Sequence, residues 1–425
     1  MHILVIGSGG REHAIAWKLA QSSQTTRVFV APGNAGTHFE SKVENLNIDP
    51  LDFKALIEFA RSNQIALTVV GPEAPLASGI VDAFQAADLL ILGPNQSCAM
   101  LESSKAFSKQ FMIEHDIPTA EAKTFTDLNA AKAYIAEKGT PIVIKADGLA
   151  AGKGVVIPQT QLEAFSILES MLEGNQFGEA GHRVVIESFL QGTEASYMVL
   201  TDGETILPLA SSQDHKARDD GDKGPNTGGM GAFSPAPIIT PQLEQTILKT
   251  VIQPVIDGFK AKGKRYTGFL YAGLMISPKG ELNVLEFNCR LGDPETQPIL
   301  MRLQSDFLEI CLHAAQRTLQ SSTAKWDTRA AIGVVLAAKG YPDVYAKGDI
   351  LSSQLQEHFA ENQKVFHAGT QVKDCQIITS GGRVICATAL ADSFKTAQTI
   401  AYELVKKVAW PNAYFRHDIG YRVVE

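Results

Sequence analysis

The stretch NVLEFNCRLGDPETQP, residues 283–298, begins as a β-strand and then changes abruptly to charged and turn-forming residues. Strand alternation predicts Leu285 and Phe287 on one face, with Glu286 and Asn288 on the other. Two oxygen-bearing side chains at this spacing are suited to one hard divalent cation such as magnesium. An ordinary polar strand face is about equally compatible with the spacing, so both interpretations stay open at this point.

The arginine behind this strand, Arg290, would suit a phosphate or a carboxylate held through two hydrogen bonds. The residues that follow, GDPE, contain glycine and proline, which favour a rigid reversal over a flexible loop. Cys289 has no histidine near it in the sequence, so a packed thiol is preferred to a nucleophile. The stretch therefore predicts an anion-binding arginine next to a candidate metal site.

The composition of the whole chain limits what that site belongs to. With 425 residues, the chain is expected to form about two to four domains. Its net charge of −8 argues against binding nucleic acid or an anionic membrane through bulk charge. Five cysteines without CxxC spacing predict neither a disulfide framework nor a zinc site. No basic leader and no long apolar run is seen, so a cytoplasmic protein is expected.

Residues 1–101 alternate short apolar runs with amphipathic segments, a pattern that predicts a parallel βα sheet with ligands at the carboxyl ends of its strands. The turn GSGG, residues 7–10, follows the first strand and would direct backbone amides toward an anion. As a dinucleotide fingerprint it fails, because Glu12 stands at the third glycine position. A tight turn without a ligand is about as consistent with the pattern as a phosphate site.

Residues 102–325 predict a larger α+β domain, in which a lid of about 120–190 contains the glycine-rich turn DGLAAGKGV. This turn is not a Walker A loop, because only three residues separate Gly148 from Gly152 and Gly154 follows the lysine. Lys145 interrupts the apolar strand PIVIKADG, where a phosphate contact is favoured over a snorkelling edge lysine. Lys105, at the start of a helix, is a weaker candidate because such lysines are usually solvated.

The segment 214–237 is predicted as a long polar loop that binds something or moves, since a loop of this length rarely persists without a role. Asp214, His215 and Lys216 bring charge to its start, and GGMG allows close approach of the backbone to a ligand. His215 alone is more often a solvated loop histidine than a catalyst. Residues 326–425 predict a small C-terminal α+β domain.

Taken in order, the motifs VIGSGGREH, VVGPEAPL, KADGLAAGKGV, QDHK, GPNTGGMGA, EFNCRLGDPETQP and FRHDIGYR resemble the phosphoribosylamine–glycine ligases, also called glycinamide ribonucleotide synthetases. The resemblance implies the ATP-grasp fold, with a Rossmann-like parallel-sheet domain in front, a small lid, a core sheet and a small C-terminal domain. It implies ligation of glycine to 5-phosphoribosylamine with ATP, giving glycinamide ribonucleotide, ADP and phosphate in purine biosynthesis. A monomer or weak homodimer is expected.

The resemblance also implies roles for individual residues. ATP phosphates would contact Lys105 and Lys145, and the loop Gly152, Lys153 and Gly154 would close over them. Glu187 would lie at the adenine hinge and Glu194 at the ribose, while Glu286 and Asn288 would hold Mg²⁺ or Mn²⁺. Arg290 would lie near the acyl centre, where the carboxylate of glycine is phosphorylated and then attacked by the amine. The remaining candidates for the sugar phosphate, amine and glycine are Gly9, Gly10, Glu73, Asp214 and Lys216.

Three positions depart from related sequences. The strand YAGLMI lacks the acidic metal ligand of many ATP-grasp proteins, Ala217 replaces the usual arginine after the loop lysine, and Ser188 replaces a glutamate near the adenine hinge. The first departure predicts that the ion rests on two protein ligands. Other ATP-grasp ligases that use formate or bicarbonate, and a non-catalytic nucleotide or phosphoribosyl sensor, are the competing interpretations. A dinucleotide oxidoreductase is disfavoured by Glu12.

Overall fold

A computed structural model describes residues 1–149, 154–174, 182–357 and 359–424. The strands of the first domain are β1 (His2–Gly7), β2 (Arg27–Pro32), β3 (Val43–Asn45), β4 (Ile65–Val70) and β5 (Ile91–Leu92). They form one parallel sheet in the order β3-β2-β1-β4-β5. Its helices are α1 (Gly10–Ala20), α2 (Ala35–Phe39), α3 (Phe53–Ser62), α4 (Glu73–Ala77), α5 (Ile80–Ala86) and α6 (Gln96–Ser103).

The strands of this sheet are apolar because helices cover both of its faces. Ile3, Leu4, Val5 and Ile6 of β1 are all fully buried. The predicted parallel βα sheet is confirmed. Its carboxyl edge faces the rest of the molecule, and Glu73 lies there at the start of α4.

Helix α7 (Lys105–Glu114) leads into the lid. The lid contains β6 (Ala122–Phe125), α8 (Leu128–Lys138), β7 (Ile142–Ala146), β8 (Val155–Val156), α9 (Gln161–Leu172) and β9 (Val184–Ser188). Its four strands follow the order β6-β9-β7-β8, and α8 and α9 pack on them around a separate small core. Asp147, just after β7, ties the lid to α7 by accepting a hydrogen bond from the amide of Ala106 at 3.0 Å.

The core domain continues with β10 (Thr193–Thr201), β11 (Ile206–Pro208), β12 (Gln213–Asp214), β13 (Ala217–Asp219), β14 (Lys223–Asn226) and β15 (Gly231–Ser234). Helices α10 (Pro241–Ile247) and α11 (Gln253–Ala261), joined by a π-helical turn, precede β16 (Gly268–Ile276) and β17 (Leu282–Asn288). The core sheet has the order β11-β10-β16-β17. Helices α12 (Thr296–Arg302) and α13 (Phe307–Gln316) follow it.

The prediction of a long loop over 214–237 is wrong, because strands β12 to β15 occupy much of that segment. β13 and β14 form an antiparallel hairpin that turns at Gly221 and Asp222, both with positive φ. β15 pairs with a strand that begins a hundred residues later in the chain. Such a long-range pairing leaves no local pattern in the sequence, which explains the incorrect prediction.

The C-terminal domain contains β18 (Ala330–Ala338), β19 (Gln363–His367), β20 (Thr370–Lys373), β21 (Gln376–Thr379), β22 (Arg383–Ala391), α14 (Phe394–Val408), β23 (Ala413–Tyr414) and α15 (Tyr421–Val424). Its main sheet has the order β12-β15-β18-β22-β19, with β23 paired to β18. Two of these strands come from the middle of the chain. The C-terminal domain is therefore joined by backbone hydrogen bonds to the segment that contains Asp214.

The five cysteines are all free thiols, and four of them are buried. Cys289 is 2% exposed, and burial raises its pKa above the usual range, in agreement with a packed thiol. Across the described parts of the chain, no helix is both long and apolar enough to span a membrane.

Candidate active site

One large cavity lies between the first domain, the lid, the core sheet and the C-terminal domain, with a volume of about 1340 Å³. Most of the predicted site residues line it: Glu73, Lys105, Lys145, Gly154, Glu187, Glu194, Asp214, Lys216, Glu286, Asn288 and Arg290. Gly9 and Gly10 are described but are not among the lining residues. Gly152 and Lys153 lie outside the described residues. The cavity is large enough for a nucleotide and small substrates together.

The strand β17 carries a bulge at Leu285, just before Glu286 and Asn288. Its pairing with β16 passes from Val284–Leu274 to Glu286–Gly273, which leaves Leu285 unpaired. The prediction that Leu285 shares a face with Phe287 is therefore wrong: Phe287 is buried in the hydrophobic core, whereas Leu285 is half-buried and lies outside that core, although both residues contact the cavity. An inserted residue shifts the alternation of side chains, and no residue of the sequence marks the insertion.

Glu286 is an ionised carboxylate in the cavity wall. Gly273 lies opposite it on β16, so that position of the neighbouring strand contributes no side chain to cover it, and 38% of its side-chain surface is exposed. Burial alone would raise its pKa, but three nearby lysines outweigh this and lower the pKa of Glu286 to about 2. These are Lys216, Lys145 and Lys105. A permanently charged oxygen ligand surrounded by cations suits the binding of a metal–phosphate complex.

Lys145 is buried and has two partners within the protein. Its Nζ donates to the carbonyl oxygen of Leu285 at 2.9 Å and lies 3.1 Å from Oε2 of Glu187. With 6% exposure it is not a snorkelling edge lysine. Lys105 begins α7, as predicted, and its Nζ donates to the carbonyl oxygen of Gly148 at 2.8 Å. Both amines lie in the cavity wall beside the glycine-rich turn.

Glu187 joins two lysines rather than one. Its Oε1 lies 3.3 Å from Nζ of Lys109, which also donates to Oγ1 of Thr119 at 2.6 Å. Burial lowers the pKa of Lys109 to about 8, although Glu187 opposes this shift. Sequence reasoning missed Lys109. The available signal was its position four residues after Lys105, which places both side chains on one face of α7.

Arg290 is held by acidic groups from the first domain. Its Nη2 lies 2.9 Å from Oε1 of Glu102 and donates to Oδ1 of Asn288 at 2.9 Å. Its Nε lies 3.6 Å from Oε2 of Glu73 and has no hydrogen-bond partner. Burial favours the neutral form, but the carboxylates dominate and raise the pKa of Arg290, which stays charged. Glu102 was missed because it precedes Arg290 by almost two hundred residues.

The glycine turn after β1 already has an internal partner. The amide of Gly9 donates to Oε2 of Glu12 at 2.6 Å, and Oε1 of Glu12 accepts from Nε of Arg11 at 2.5 Å. Glu12 therefore fills the space that a bound anion would need at this amide. Arg11, which sequence reasoning did not select, does line the cavity and lies 3.9 Å from Oε2 of Glu73.

Asp214 and Lys216 also line the cavity, in the segment just before β13. Lys216 lies 3.4 Å from Oε2 of Glu194 and 3.8 Å from Oε1 of Glu286. Burial favours its neutral form, but the surrounding carboxylates raise the pKa of Lys216 well above its usual value. Burial, aided by Glu295 and Glu194, raises the pKa of Asp214 to about 7. Lys216 is therefore a fixed cation, whereas Asp214 changes charge near neutral pH.

His215, between these two residues, is not the solvated loop histidine that the sequence favoured. It is fully buried, and its Nε2 accepts a hydrogen bond from the amide of Gly420 at 3.2 Å. Burial lowers the pKa of His215 to about 3, so it stays neutral. The pairing of β15 with the C-terminal sheet covers it, which the sequence alone did not reveal.

The C-terminal domain supplies part of the cavity wall through Tyr341, Arg383, Tyr421 and Arg422. Arg383 binds the carbonyl oxygen of Asp293 at 2.7 Å. These residues were not predicted as site residues. Tyr421 and Arg422 belong to the motif FRHDIGYR, which indicated the family but was given no role in the site.

Comparisons with known proteins agree with this architecture. Family models of phosphoribosylglycinamide synthetase match its N domain at residues 1–102, its ATP-grasp (A) domain at 103–296 and its C domain at 331–422. The phosphoribosylamine–glycine ligases of Vibrio vulnificus (strain CMCP6) and Haemophilus influenzae are each 56% identical to the chain. Each comparison covers 100% of this chain and 99% of the relative. The chain belongs to the phosphoribosylamine–glycine ligase family.

Solved structures with the same fold include a member of this ligase family. The crystal structure of the phosphoribosylamine–glycine ligase from Thermotoga maritima has a TM-score of 0.85 and 32% identity, covering 99% of this chain and 100% of that one. The biotin carboxylase domain of a Hydrogenobacter thermophilus 2-oxoglutarate carboxylase has a TM-score of 0.74 and 16% identity, covering 97% and 91%, and shows the fold alone. The predicted ATP-grasp fold is confirmed.

Membership of the phosphoribosylamine–glycine ligase family makes the protein an ATP-dependent ligase of purine biosynthesis that joins glycine to 5-phosphoribosylamine. The match to the ATP-grasp domain of phosphoribosylglycinamide synthetase implies the use of ATP. The donor set of the cavity wall fits a divalent ion, because Glu286 is an ionised carboxylate and Oδ1 of Asn288, which accepts one hydrogen bond from Arg290, keeps a second lone pair. Within the described residues, no cluster of three or more His, Cys, Asp or Glu side chains is suited to a metal.

Two of the three departures from related sequences have visible structural settings. Tyr271 and Met275 of β16 line the cavity where an acidic ligand was sought. Ala217 also lines it, whereas Arg218 pairs with Asp219 at 2.8 Å. Two guanidinium groups from the C-terminal domain contact this segment: Nη1 of Arg416 donates to the carbonyl oxygen of Ala217 at 3.1 Å, and Nη1 of Arg422 donates to that of Asp214 at 3.3 Å.

Proposed function

We propose that this ligation proceeds through a glycyl phosphate formed in the cavity between the lid and β17. The terminal phosphoryl group of ATP is transferred to a carboxylate oxygen of glycine, which releases ADP. The amine of 5-phosphoribosylamine then forms the new C–N bond at the acyl carbon, and phosphate leaves with the former carboxylate oxygen. The observation that carries this proposal is that Lys145, Glu286 and Arg290 line one cavity.

The nucleotide is proposed to lie on the lid side of the cavity. Lys105 and Lys145 would neutralise the phosphates, since phosphoryl transfer depends on positioning and charge neutralisation more than on a protein nucleophile. The loop Gly152, Lys153 and Gly154 would close over them and exclude water. Glu187 would act at the adenine end, where it also orients its two lysines. Glu194 would bind the ribose.

The divalent ion is proposed to be Mg²⁺, with Mn²⁺ as the alternative, held by Glu286 and Asn288. A bound divalent ion would neutralise phosphate charge during the transfer. The ionised state of Glu286 and the hard oxygen donors support either ion. Lys216, which lies near Glu286, would supply a further cation to the transferred group.

The acyl and amine side is proposed to lie at Arg290, with Glu73 and Lys216 nearby. Arg290 would hold the glycine carboxylate and then the acyl phosphate, because its guanidinium stays charged. Asp214 would accept the proton that the attacking amine loses. Gly9 and Gly10 remain proposed for the sugar phosphate, which would have to replace Glu12 at the amide of Gly9.

The test is an ADP-release assay in which 5-phosphoribosylamine is generated in place. ADP release that requires both glycine and the amine is expected. Release with formate or bicarbonate in place of glycine would instead favour another ATP-grasp ligase. Nucleotide binding without turnover would favour a sensor. Positional isotope exchange in ATP with glycine alone would test the glycyl phosphate separately.

We further propose a cytoplasmic enzyme that acts as a monomer or weak homodimer and binds neither nucleic acid nor membrane. The free thiols and the net charge of −8 support this proposal. Light scattering across a concentration series would measure the oligomeric state. A stable larger assembly would contradict it.

A further inference from the structure

Arg290 has a fixed orientation because its guanidinium is bound along one edge. Nη2 contacts both Glu102 and Asn288, and Nη1 donates to the carbonyl oxygen of Leu291 at 3.3 Å. Nε lacks a hydrogen-bond partner. The side chain is thus held in one orientation in the cavity wall, while its buried Nε, beside Glu73, makes no hydrogen bond within the protein.

Glu102 does more than pair with this side chain. Its second oxygen, Oε2, accepts a hydrogen bond from the backbone amide of Cys289 at 2.7 Å. One carboxylate therefore binds both the backbone at the end of β17 and the side chain of the next residue. Its side chain is 7% exposed, so its charge has little solvation other than these contacts.

The position of Glu102 in the chain adds a second link. It lies near the end of α6, two residues before Ser104, whose hydroxyl caps α7 by accepting from the amide of Phe107. Lys105, the first residue of α7, lies in the same cavity. The short segment 102–105 therefore connects the acyl side of the site to the nucleotide side.

From these contacts we infer that Glu102 is a positioning residue, which sets the orientation of Arg290 toward the carboxylate of glycine. The inference rests on the proposed function, in which Arg290 holds that carboxylate. Glu73 does not replace Glu102, since it lies farther from Arg290, at 3.6 Å, and its side chain is 33% exposed to the cavity. A charged side chain stabilises the transition state most strongly when it does not have to reorient during the reaction.

The test is the variant Glu102→Gln, which keeps the shape but removes the charge. A glutamine has one acceptor oxygen for the two donors that Glu102 now binds. KM for glycine is expected to rise about 10–100-fold, as for a misplaced catalytic group. KM for ATP should stay close to that of the wild type, whereas the melting temperature is expected to fall, because the substitution breaks a buried ion pair. The matched control is Glu114→Gln, which removes an exposed carboxylate paired with Lys262 at 2.9 Å.

A double-mutant cycle with Arg290→Lys separates positioning from a general structural role. If Glu102 acts through Arg290, Glu102→Gln should have little further effect on KM for glycine in the Arg290→Lys background. The same fold-change in both backgrounds, or an equal rise in both KM values, would overturn the inference. If Glu102→Gln does not fold, Glu102→Asp is measured by the same two criteria. Wild-type ADP release that ignores glycine would overturn the proposed function instead.

Discussion

Nζ of Lys216 lies 3.8 Å from Oε1 of Glu286. This pair joins the segment before β13 to β17, two parts of the chain that meet only through the folded core. The carboxylate keeps its charge at neutral pH because its pKa is lowered to about 2. The wall of the cavity therefore presents a fixed cation beside a fixed anion.

Replacing Glu286 by alanine is expected to reduce ligation by at least about 100-fold, since it removes the charged ligand proposed for the metal. The fold should persist, because Glu286 faces the cavity and lies opposite Gly273. Activity is measured against magnesium concentration, and circular dichroism checks the fold. Glu281→Ala, at an exposed position just before β17, is the control. Unchanged metal dependence in Glu286→Ala would contradict the assignment.

The ionisation of Asp214 predicts a pH dependence of activity. If this carboxylate accepts a proton from the amine, kcat/KM should rise with pH through about 7, the pKa to which burial raises Asp214. Asp214→Asn should be nearly inactive, with the residual rate lacking this limb. The measurement is kcat/KM for the amine across about pH 5 to 9. The same limb in Asp214→Asn would assign it to another group.

The free energy of unfolding should also depend on the ionisation of Asp214, but it should fall as pH rises, whereas activity should rise. The folded-state pKa lies above the ordinary value of 3.8, so between about pH 4 and 7 the folded chain holds a proton that the unfolded chain has lost. The contribution of Asp214 to the free energy of unfolding therefore falls as pH rises through that window. Urea unfolding of the wild type and Asp214→Asn should differ in this pH dependence. Identical dependence in both would disprove it.

Lys145→Met is expected to weaken ATP binding roughly 10–100-fold, because a hydrogen bond to a charged group is worth about 1.5–3 kcal/mol. Folding should be preserved, since Glu187 keeps its contact with Lys109. Isothermal titration calorimetry with ATP measures the effect. Lys138→Met, which removes an exposed lysine paired with Glu121 at 2.7 Å, should bind ATP normally. Equal affinities of the two variants would contradict the phosphate role.

Arg416 should matter for stability. It is fully buried, and it pairs with Asp222 at 2.8 Å and Asp418 at 2.7 Å. Arg416→Leu is expected to cost about 3–5 kcal/mol, because it leaves the partly buried Asp418 without its cation and Asp222 with Arg422 alone. Urea unfolding measures the loss. The control Arg27→Leu removes an exposed pair with Glu44 and should cost about 0–1 kcal/mol. Similar losses in both would reject this explanation.

Local patterns predicted those parts of the fold and site that are local in the chain. The apolar run of β1, and the positions of Lys145 and Glu286 within their strands, could be recognised because each lies inside one short segment. Glu102 could not, since its relation to Arg290 depends on how α6 meets β17. The bulge at Leu285 and the burial of His215 arise from pairing with other strands, which a local pattern does not encode.

The pairing of β15 with β18 has a consequence for synthesis on the ribosome. Gly231 of β15 pairs with Val334 of β18, and β18 pairs in turn with β22. The backbone hydrogen bonds of β15 can therefore form only after the last quarter of the chain has been synthesised. Until then the nascent chain exposes an unpaired strand edge, a site for aggregation. A truncation after residue 325 would make that exposure permanent. The C-terminal quarter is therefore a partner in folding the central domain.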